Sequence, residues 1–326
     1  MSNWLSLDNR DQIDLFAQAG VEAGLPPIAI EKDAWVTLVL RMLFASELSG
    51  HIVFKGGTSL SKVYGLIERF SEDVDLAIDR SYLGYKDDLS KGEIRKLRRA
   101  SHDFSLIKMP DILNAQLEAY GIDPDLYNIE VPNTKVSDQD PEIIYISYES
   151  VFDEESYLPD RVQIEIGARS LNEPFAISSI GSITDKIFVD SEFMEEPFKV
   201  KSIIPEKTFL EKMILLHEEF QKPEEKVRSH RMSRHLYDIY KIHNTRYGSS
   251  ALKDAVLFRS ICTHRAIFTP VRDVDYDALK LSDLNILPTG YLADLYENDY
   301  QAMRENMIYG ESPDFDKLIE TIKTIL

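Results

Sequence analysis

The chain has 326 residues, of which 44% are hydrophobic and 29% charged, so it can bury a core and is not a disordered tail. Its single cysteine, Cys262, excludes an intramolecular disulfide and every cysteine-cluster metal site, and fits a reducing cytoplasm. The net charge of −19 excludes a general coater of nucleic acid, because long-range attraction to phosphate is reversed, but it permits a local basic groove.

Two helices are predicted near the N-terminus. Residues 11–23 have the spacing of a short amphipathic helix, and residues 28–46, opened by a Pro-Pro pair, that of a long and mostly buried one. The most apolar stretch, residues 34–45, contains Arg41 and is shorter than the ~20 residues that a membrane-spanning helix needs. The polar N-terminus lacks the apolar run of a signal peptide, so we expect a cytoplasmic protein without a membrane partner.

Short strands and a glycine turn follow. Residues 51–55 are a strand candidate, which Gly56 and Gly57 end, and residues 58–67 then have helical spacing. Further strands are predicted by their composition and by alternation of apolar and polar residues, at residues 73–78, 143–148 and 161–166.

From residue 205 onward the apolar spacing is helical. The predicted helices cover residues 206–220, 227–243, 250–262 and 312–326. We therefore predict an α+β fold, with a mixed sheet, flanking helices and N-terminal helices in residues 1–204, and a mostly helical domain in residues 205–326.

The strand at residues 73–78 carries two acids. Because side chains alternate across a strand, its apolar residues face the core while Asp73 and Asp75 share the other face, roughly 7 Å apart. Two carboxylates that close repel each other unless a cation lies between them. Two-metal phosphoryl transfer uses such a pair, with Mg²⁺ bridging the carboxylates and the substrate phosphates.

The strand at residues 161–166 repeats this arrangement, with Gln163 and Glu165 opposite its apolar face. If the two strands are neighbours in the sheet, Glu165 adds a third carboxylate to the same face. Upstream, residues 54–59 form a strand, glycine and helix junction, which presents backbone N–H groups to a phosphate. Its glycines allow the backbone to approach a ligand closely.

Taken singly, each of these features has a plain structural alternative. The Asp-x-Asp pair is then a solvated strand edge, the Gly-Gly pair a turn, and Glu165 a surface acid. Their order along the chain favours a site: strand, Gly-Gly, helix, Asp-x-Asp strand, and a later strand with one acid on the same face.

At these residues the sequence resembles the AbiEii/AbiGii toxin family, within the nucleotidyltransferase superfamily that has a DNA polymerase β-like fold. The strongest match is FKGGTSLSK at residues 54–62 followed by RFSEDVDL at residues 69–76. Other segments are similar to further family motifs: Glu31-Lys32-Asp33 and residues 163–169, 206–212 and 231–238. Two departures are the 15 residues between Gly57 and Asp73, which the predicted helix to Ile67 accounts for, and a Glu as third acid.

The resemblance implies a polymerase β-like nucleotidyltransferase that transfers a nucleoside monophosphate from an NTP to an acceptor and releases pyrophosphate. Its functional positions map to Ser71, Asp73, Asp75, Lys212 and Asp238. Together with the strand pattern, it predicts Mg²⁺ or Mn²⁺ on Asp73, Asp75 and Glu165, with Glu165 also helping catalysis. The predicted nucleotide-binding residues are Lys55, Gly56, Gly57, Thr58, Ser59 and Ser71.

Three of these residues also have plain alternatives. Ser71 either binds a phosphate oxygen or caps its own loop. Lys212, beside an apolar helical stripe, either reaches a phosphate or base or lies as a snorkelling surface lysine. Asp238 either pairs with Arg234 at i, i+4 spacing or contacts the donor ribose or Lys212.

Basic residues concentrate in two segments. Residues 91–99 contain five Lys or Arg residues, and residues 222–246 contain ten Lys, Arg or His residues. Each segment is either a solvated helix face or a groove for an RNA acceptor such as a tRNA end. The family resemblance further implies a toxin countered by a separately encoded antitoxin.

Two other functions stay open from the residues alone. One keeps the fold but nucleotidylates a protein or a small molecule. The other is a non-catalytic protein that binds a nucleotide or a partner, although the clustered carboxylates have no chemical reason to persist in a dead site.

Overall fold

The computed structural model describes residues 3–86, 88–132, 136, 139–152 and 159–325. Contacts divide the chain into two compact units. Unit 1 contains Met1–Val63 and Ser71–Ser202, and unit 2 contains Tyr64–Phe70 and Ile203–Leu326. Residues 64–70 are therefore an excursion from unit 1 that belongs to unit 2.

Unit 1 is built on a mixed sheet, which in the described residues has seven strands in the order β3-β4-β5-β2-β1-β7-β6. The strands are β1 (Ile52–Lys55), β2 (Asp73–Ile78), β3 (Tyr127–Glu130), β4 (Glu142–Tyr148), β5 (Arg161–Gly167), β6 (Phe175–Ile180) and β7 (Phe198–Ile203). The two central strands β2 and β5 are parallel, and β2 is antiparallel to β1. Their inward residues are fully buried, which fixes the register.

Helices flank the sheet of unit 1. They are α1 (Asn9–Ala23), α2 (Pro27–Ala45), α3 (Gly56–Lys62), α4 (Lys91–Asp103), α5 (Met109–Ala119) and α6 (Ile183–Ile187). A π-helical turn at Phe104–Lys108 joins α4 to α5. Helix α2 is apolar on nearly every side and is buried along most of its length, as its sequence predicted.

Unit 2 is helical. It contains α7 (Pro205–Phe220), α8 (Ser233–His243), α9 (Arg246–Ala251), α10 (Ala255–Phe268), α11 (Tyr291–Asn306) and α12 (Phe315–Lys323). The predicted α+β fold class is thus confirmed, with a mixed sheet and flanking helices. Among the described residues, none of the helices has the length and hydropathy needed to cross a bilayer.

The predicted helix at residues 58–67 is wrong beyond Lys62, where α3 ends. Gly65 has a left-handed φ of +61°, and the following residues form extended contacts within unit 2 instead. The N–H of Phe70 donates to the carbonyl of Met307 at 2.7 Å, and Arg69 pairs with Ile308 in an antiparallel bridge. Long-range pairing has therefore replaced the local helical preference.

Further differences lie in unit 2, where the helix predicted at residues 250–262 is α10 at Ala255–Phe268. Helix α8 begins at Ser233 and not at residue 227, since Arg231 has a φ of +57°, which a helix does not allow. Helix α11 was not predicted, although Leu292, Tyr296 and Tyr300 lie four residues apart and are buried. Its many acidic residues obscure this apolar stripe.

Candidate active site

Lys55, Asp75 and Glu165 form one row across three neighbouring strands. The register pairs Lys55 of β1 with Asp75 of β2, and Asp75 with Glu165 of β5. One pleat along, Asp73 pairs with Gln163. Paired residues on adjacent strands project to the same face, so the three acids share a face, and the strands that carry them are indeed neighbours.

The apolar face of the same strands anchors this arrangement. Val74 and Leu76 of β2 and Ile164 and Ile166 of β5 have no exposed surface. A slip of one residue in either strand would move these side chains to the polar face and lose their burial. The hydrophobic core therefore holds the acids in register.

Position 56 requires a glycine because its backbone lies against the carboxylate of Asp75. Its φ is +80°, and a Cβ added there would lie 1.9 Å from Oδ2 of Asp75. A side chain at this position is excluded by both the backbone conformation and the close approach of the carboxylate. On the other side, Nζ of Lys55 lies 3.9 Å from Oδ1 of Asp75, an ion pair longer than a hydrogen bond.

The two hydroxyl residues after the glycines, Thr58 and Ser59, both have hydrogen-bond partners. Thr58 Oγ1 donates to Ser71 Oγ at 3.0 Å, and Ser59 Oγ donates to the carbonyl of Gly56 at 3.0 Å. Thr58 and Ser59 are buried, while Ser71 is partly exposed. The structure thus links Thr58 to Ser71 and Ser59 to Gly56, and Gly56 itself lies against Asp75.

Lys212 and Asp238 meet in unit 2. Asp238 has no exposed surface, and its Oδ2 lies 2.9 Å from Nζ of Lys212. Arg69 donates to both carboxylate oxygens of Asp238, from Nε and Nη2, at 2.8 Å each. This forked geometry matches the planar guanidinium to the carboxylate. Lys212 Nζ also lies 3.4 Å from Nδ1 of His235.

Burial and neighbouring charges shift the pKa values of Asp238, Lys212 and His235. Burial alone would raise the pKa of Asp238, but Arg69 and Lys212 outweigh it and hold that pKa below its ordinary value. Burial, opposed by Asp238, lowers the pKa of Lys212. Burial and the charges of Lys212 and Arg234 lower the pKa of His235 well below 6.5, so this imidazole is neutral at pH 7.

Sequence reasoning did not assign a role to Arg69, the residue that pairs with Asp238. The signal was present, because Arg69 opens the RFSEDVDL segment that carries the two aspartates. A buried arginine needs a carboxylate partner, but its partner lies 169 residues away along the chain. Sequence spacing could not reveal this pair.

Asp73, Asp75 and Glu165 share one face of the sheet, here called the acidic face. Its donor atoms suit a hard divalent cation, since carboxylate oxygens are the ligands that Mg²⁺ prefers. Within the parts of the chain that the structure describes, no three His, Cys, Asp or Glu side chains converge as a metal-ligand group. Mg²⁺ is commonly held by one or two carboxylates together with substrate phosphates. The face fits such an open site, and not a closed cage of protein ligands.

A separate cavity of about 310 Å³ opens at the other end of the same strands. It lies beside the start of β1 and the end of β2, and its lining includes His51, Asp79 and Lys201. None of the predicted site residues lines it. The acidic face and this cavity are therefore different places in unit 1.

The two basic segments differ in their surroundings. On α4 of unit 1 four cations are exposed, namely Lys91, Arg95, Lys96 and Arg99. In unit 2, Lys222 and Arg228 both contact Glu219, and Lys241 contacts Glu68. The α4 segment therefore presents four exposed cations within nine residues.

Comparison with known proteins places these features in a family. The fold is α+β, with acids on adjacent central strands of its sheet. The chain matches the family model described as "Nucleotidyl transferase AbiEii toxin, Type IV TA system" over residues 38–321. The chain therefore belongs to this family of nucleotidyl transferase toxins of type IV toxin–antitoxin systems.

Two other comparisons add less. No curated protein matches the chain significantly. The crystal structure of JHP933 from Helicobacter pylori is 15% identical, with 88% of this chain and 95% of that chain covered and a TM-score of 0.34. A TM-score below 0.5 does not establish a shared fold, so the family assignment rests on the sequence match.

Proposed function

We propose that this chain is a metal-dependent nucleotidyltransferase that moves a nucleoside monophosphate from an NTP to an RNA acceptor, such as a tRNA end. The observation that carries the proposal is the row of Lys55, Asp75 and Glu165 with Asp73 on the same face. The family match supports transfer of a nucleotidyl group. It leaves the donor, the metal and the acceptor to be measured.

In this proposal the acidic face prepares the transfer. Asp73 and Asp75 would hold Mg²⁺ or Mn²⁺, which supplies charge neutralisation at the α-phosphate when bound. The acceptor hydroxyl attacks the α-phosphorus, the bond to the β-phosphate oxygen breaks, and pyrophosphate leaves. Glu165, or one of the aspartates, takes the proton from the attacking hydroxyl. Lys55 offsets the negative charge of this face at Asp75.

The glycine turn and its hydroxyls would receive the triphosphate. Gly56 leaves the backbone uncovered next to Asp75, and Gly57 follows it in the first turn of α3. Ser71 is partly exposed and already accepts a hydrogen bond from Thr58, so its own hydroxyl hydrogen is available for a phosphate oxygen. We assign no dipole role to α3, because it has only seven residues.

We propose a supporting role for Lys212 and Asp238. Because Asp238 is buried and paired with two cations, it suits the task of fixing Lys212 and Arg69 better than a direct contact with substrate. Lys212 keeps a small exposed fraction of 8%, through which a phosphate could compete for its ammonium.

The family name supports a toxin role with a separately encoded antitoxin, and we propose a cytoplasmic setting for both. For the acceptor, the exposed cations of α4 offer phosphate contacts in a chain whose net charge is −19. The same net charge favours a second candidate, in which a protein or a small molecule is nucleotidylated.

Labelling separates these acceptors. The protein is incubated with each labelled NTP, Mg²⁺ and either total RNA or total protein, and the labelled fraction is identified. Label in RNA supports the proposal, label in protein or in a small molecule supports the second candidate, and no label with any NTP contradicts transfer. Neighbouring genes give an independent check for an antitoxin.

The α4 surface gives a sharper test of RNA as acceptor. Replacing Lys91, Arg95 and Arg99 with Glu should weaken RNA labelling by ten-fold or more and flatten its salt dependence, by roughly 0.7 in slope for each lost contact with a single strand. NTP binding should not change. A variant with Glu at Lys253, Arg272 and Lys280, three exposed cations of unit 2, makes the same change in net charge and is the control. Equal salt slopes in both variants would contradict RNA binding by α4.

A further inference from the structure

Three consecutive charged side chains of α2, Glu31, Lys32 and Asp33, are not explained by the proposed chemistry. Glu31 and Lys32 are each 1% exposed and Asp33 is partly buried, in a helix that is otherwise strongly apolar. Buried charges are costly unless each has a partner. The partners of these three residues therefore show which segments α2 holds in place.

Lys32 and Asp33 each hold a different segment of unit 1. Nζ of Lys32 lies 2.9 Å from Oε2 of Glu72 and also donates to the carbonyl of Pro159. Oδ1 of Asp33 accepts from Nζ of Lys62 at 2.5 Å, and its Oδ2 accepts from the backbone N–H of Ile183 at 2.8 Å. Glu31 holds a third segment, through Ser150 and Val151.

Lys62 and Glu72 bracket the excursion of the chain at residues 64–70. Lys62 is the last residue of α3, one residue before unit 1 ends at Val63. Unit 1 resumes at Ser71, and Glu72 is the next residue and directly precedes Asp73. Adjacent residues of one rigid helix therefore hold the chain close to both points where it leaves and re-enters unit 1.

We propose that the two ion pairs Lys32–Glu72 and Asp33–Lys62, here called the α2 clamp, position Asp73 and Asp75 for nucleotidyl transfer. This inference rests on the proposed function of the acidic face. Lys32 and Asp33 are positioning residues, since they act through Glu72 and α3 and do not touch the reacting groups. The clamp holds the end of α3 and the residue that precedes Asp73 against one helix of unit 1.

The geometry favours positioning over simple stabilisation. Ser71, Glu72 and Asp73 are consecutive, and each is fixed separately: by Thr58, by Lys32 and by strand pairing with Gln163. The Lys32 side chain is 2% exposed and that of Glu72 is 15% exposed, so solvent screens this pair only weakly. A displacement of about 1 Å at a reacting group can cost 10²-fold in rate, so a lost clamp should act on catalysis.

The test compares Lys32→Met, Glu72→Gln and the double variant in the full chain. The matched control is Glu142→Gln, which breaks another buried pair of unit 1, between Glu142 and Nδ1 of His102 at 2.6 Å. We expect Lys32→Met to lower kcat by ~10²-fold while KM for NTP changes by less than ~3-fold, because nucleotide contacts remain while alignment is lost. The control should keep kcat per folded molecule.

The double variant tests whether Lys32 acts through Glu72. If it does, the double variant should be no slower than Lys32→Met, since both changes remove the same contact. If the losses in kcat of the two single variants instead multiply in the double variant, Lys32 does not act through Glu72. If Lys32→Met fails to fold, Glu72→Gln carries the test, because Gln keeps the shape of the Glu side chain.

Hydrogen exchange at residues 71–76 separates failure of the clamp from failure of the proposed function. Faster exchange there in Lys32→Met and Glu72→Gln, with no change in Glu142→Gln, supports the clamp whether or not transfer is detected. Equal exchange in all variants overturns it, and so does an unchanged kcat in Lys32→Met. Absence of transfer in the wild-type chain, with the exchange difference present, contradicts only the proposed function.

Discussion

The carboxylates of the two units are held in opposite ways. In unit 1 the Asp75 side chain is 22% exposed, with Lys55 as an ion-pair partner at 3.9 Å. In unit 2 Asp238 is fully buried and is contacted by Arg69 and Lys212 at 2.8–2.9 Å. One carboxylate is partly open and loosely paired, and the other is closed and tightly paired.

This difference indicates different roles for residues that the family resemblance groups together. A partly exposed carboxylate beside other acids retains oxygen lone pairs for an incoming cation. A buried carboxylate with two cationic partners has its hydrogen-bonding capacity used, and removing it leaves uncompensated charge. We therefore expect the acidic face to govern activity and the Asp238 cluster to govern stability.

The largest effect is expected on the acidic face. Asp73→Asn keeps the shape of the side chain but removes its charge, so transfer should fall by 10³-fold or more if a cation is held there. The melting temperature should change little, because the side chain is partly exposed. Calorimetry with NTP and Mg²⁺ together should lose most of the binding.

The control for this change is Glu173→Gln, which neutralises an exposed acid at the far end of the sheet. Its transfer rate should match that of the wild type. Undiminished NTP and Mg²⁺ affinity in Asp73→Asn would mean that the acidic face is not the site.

The next effect concerns Asp238. Asp238→Ala should lower the free energy of unfolding by about 3–5 kcal/mol, because Arg69 and Lys212 become buried charges without their carboxylate. Urea titration measures this loss. A loss below about 1 kcal/mol would contradict the comparison, since it would mean that solvent reaches the cluster.

Substitution of Lys212 tests whether this residue contributes to activity, to stability or to both. If its ammonium contacts phosphate, Lys212→Met should cut transfer by ~10²-fold per folded molecule, in the range for a lost electrostatic group. If it only neutralises Asp238, the variant should lose stability and keep its rate. The ratio of the two effects, measured by urea titration and by labelled NTP transfer, decides between them.

Gly56 gives an effect of intermediate size. In Gly56→Ala the new methyl group would meet Oδ2 of Asp75 at 1.9 Å, so the carboxylate must move and transfer should fall by ~10²-fold. Gly84→Ala is the matched control, because Gly84 has a similar φ of +84° but nothing within 4 Å of the new methyl. Both variants should lose about 1–2 kcal/mol of stability from the backbone, and equal transfer rates would contradict the proposed contact.

The sequence predicted local features well and long-range partners poorly. Alternation located β2 and β5 and assigned Asp73, Asp75 and Glu165 to polar positions, because a two-residue period is visible in one strand. It could not show whether β2 and β5 are neighbours, which only the register settles. The excursion at residues 64–70 was hidden, since its partner in unit 2, Ile308 opposite Arg69, lies 239 residues away along the chain (308 − 69).

The smallest expected effect is the pH dependence of the unit 2 cluster. Burial and the nearby charges of Lys212 and Arg234 lower the pKa of His235 well below 6.5. Between pH 6.5 and that lowered pKa the unfolded chain binds a proton that the folded chain does not, so stability falls as pH decreases. From pH 7.5 to 5.5 this single site should lower the free energy of unfolding by about 1 kcal/mol, and His235→Gln should remove that part of the pH dependence.

His243→Gln is the matched comparison, because burial alone lowers the pKa of His243 and its contribution should be smaller. Urea titrations at both pH values measure the difference, and identical slopes for wild type and His235→Gln would show that the cluster does not exclude the proton.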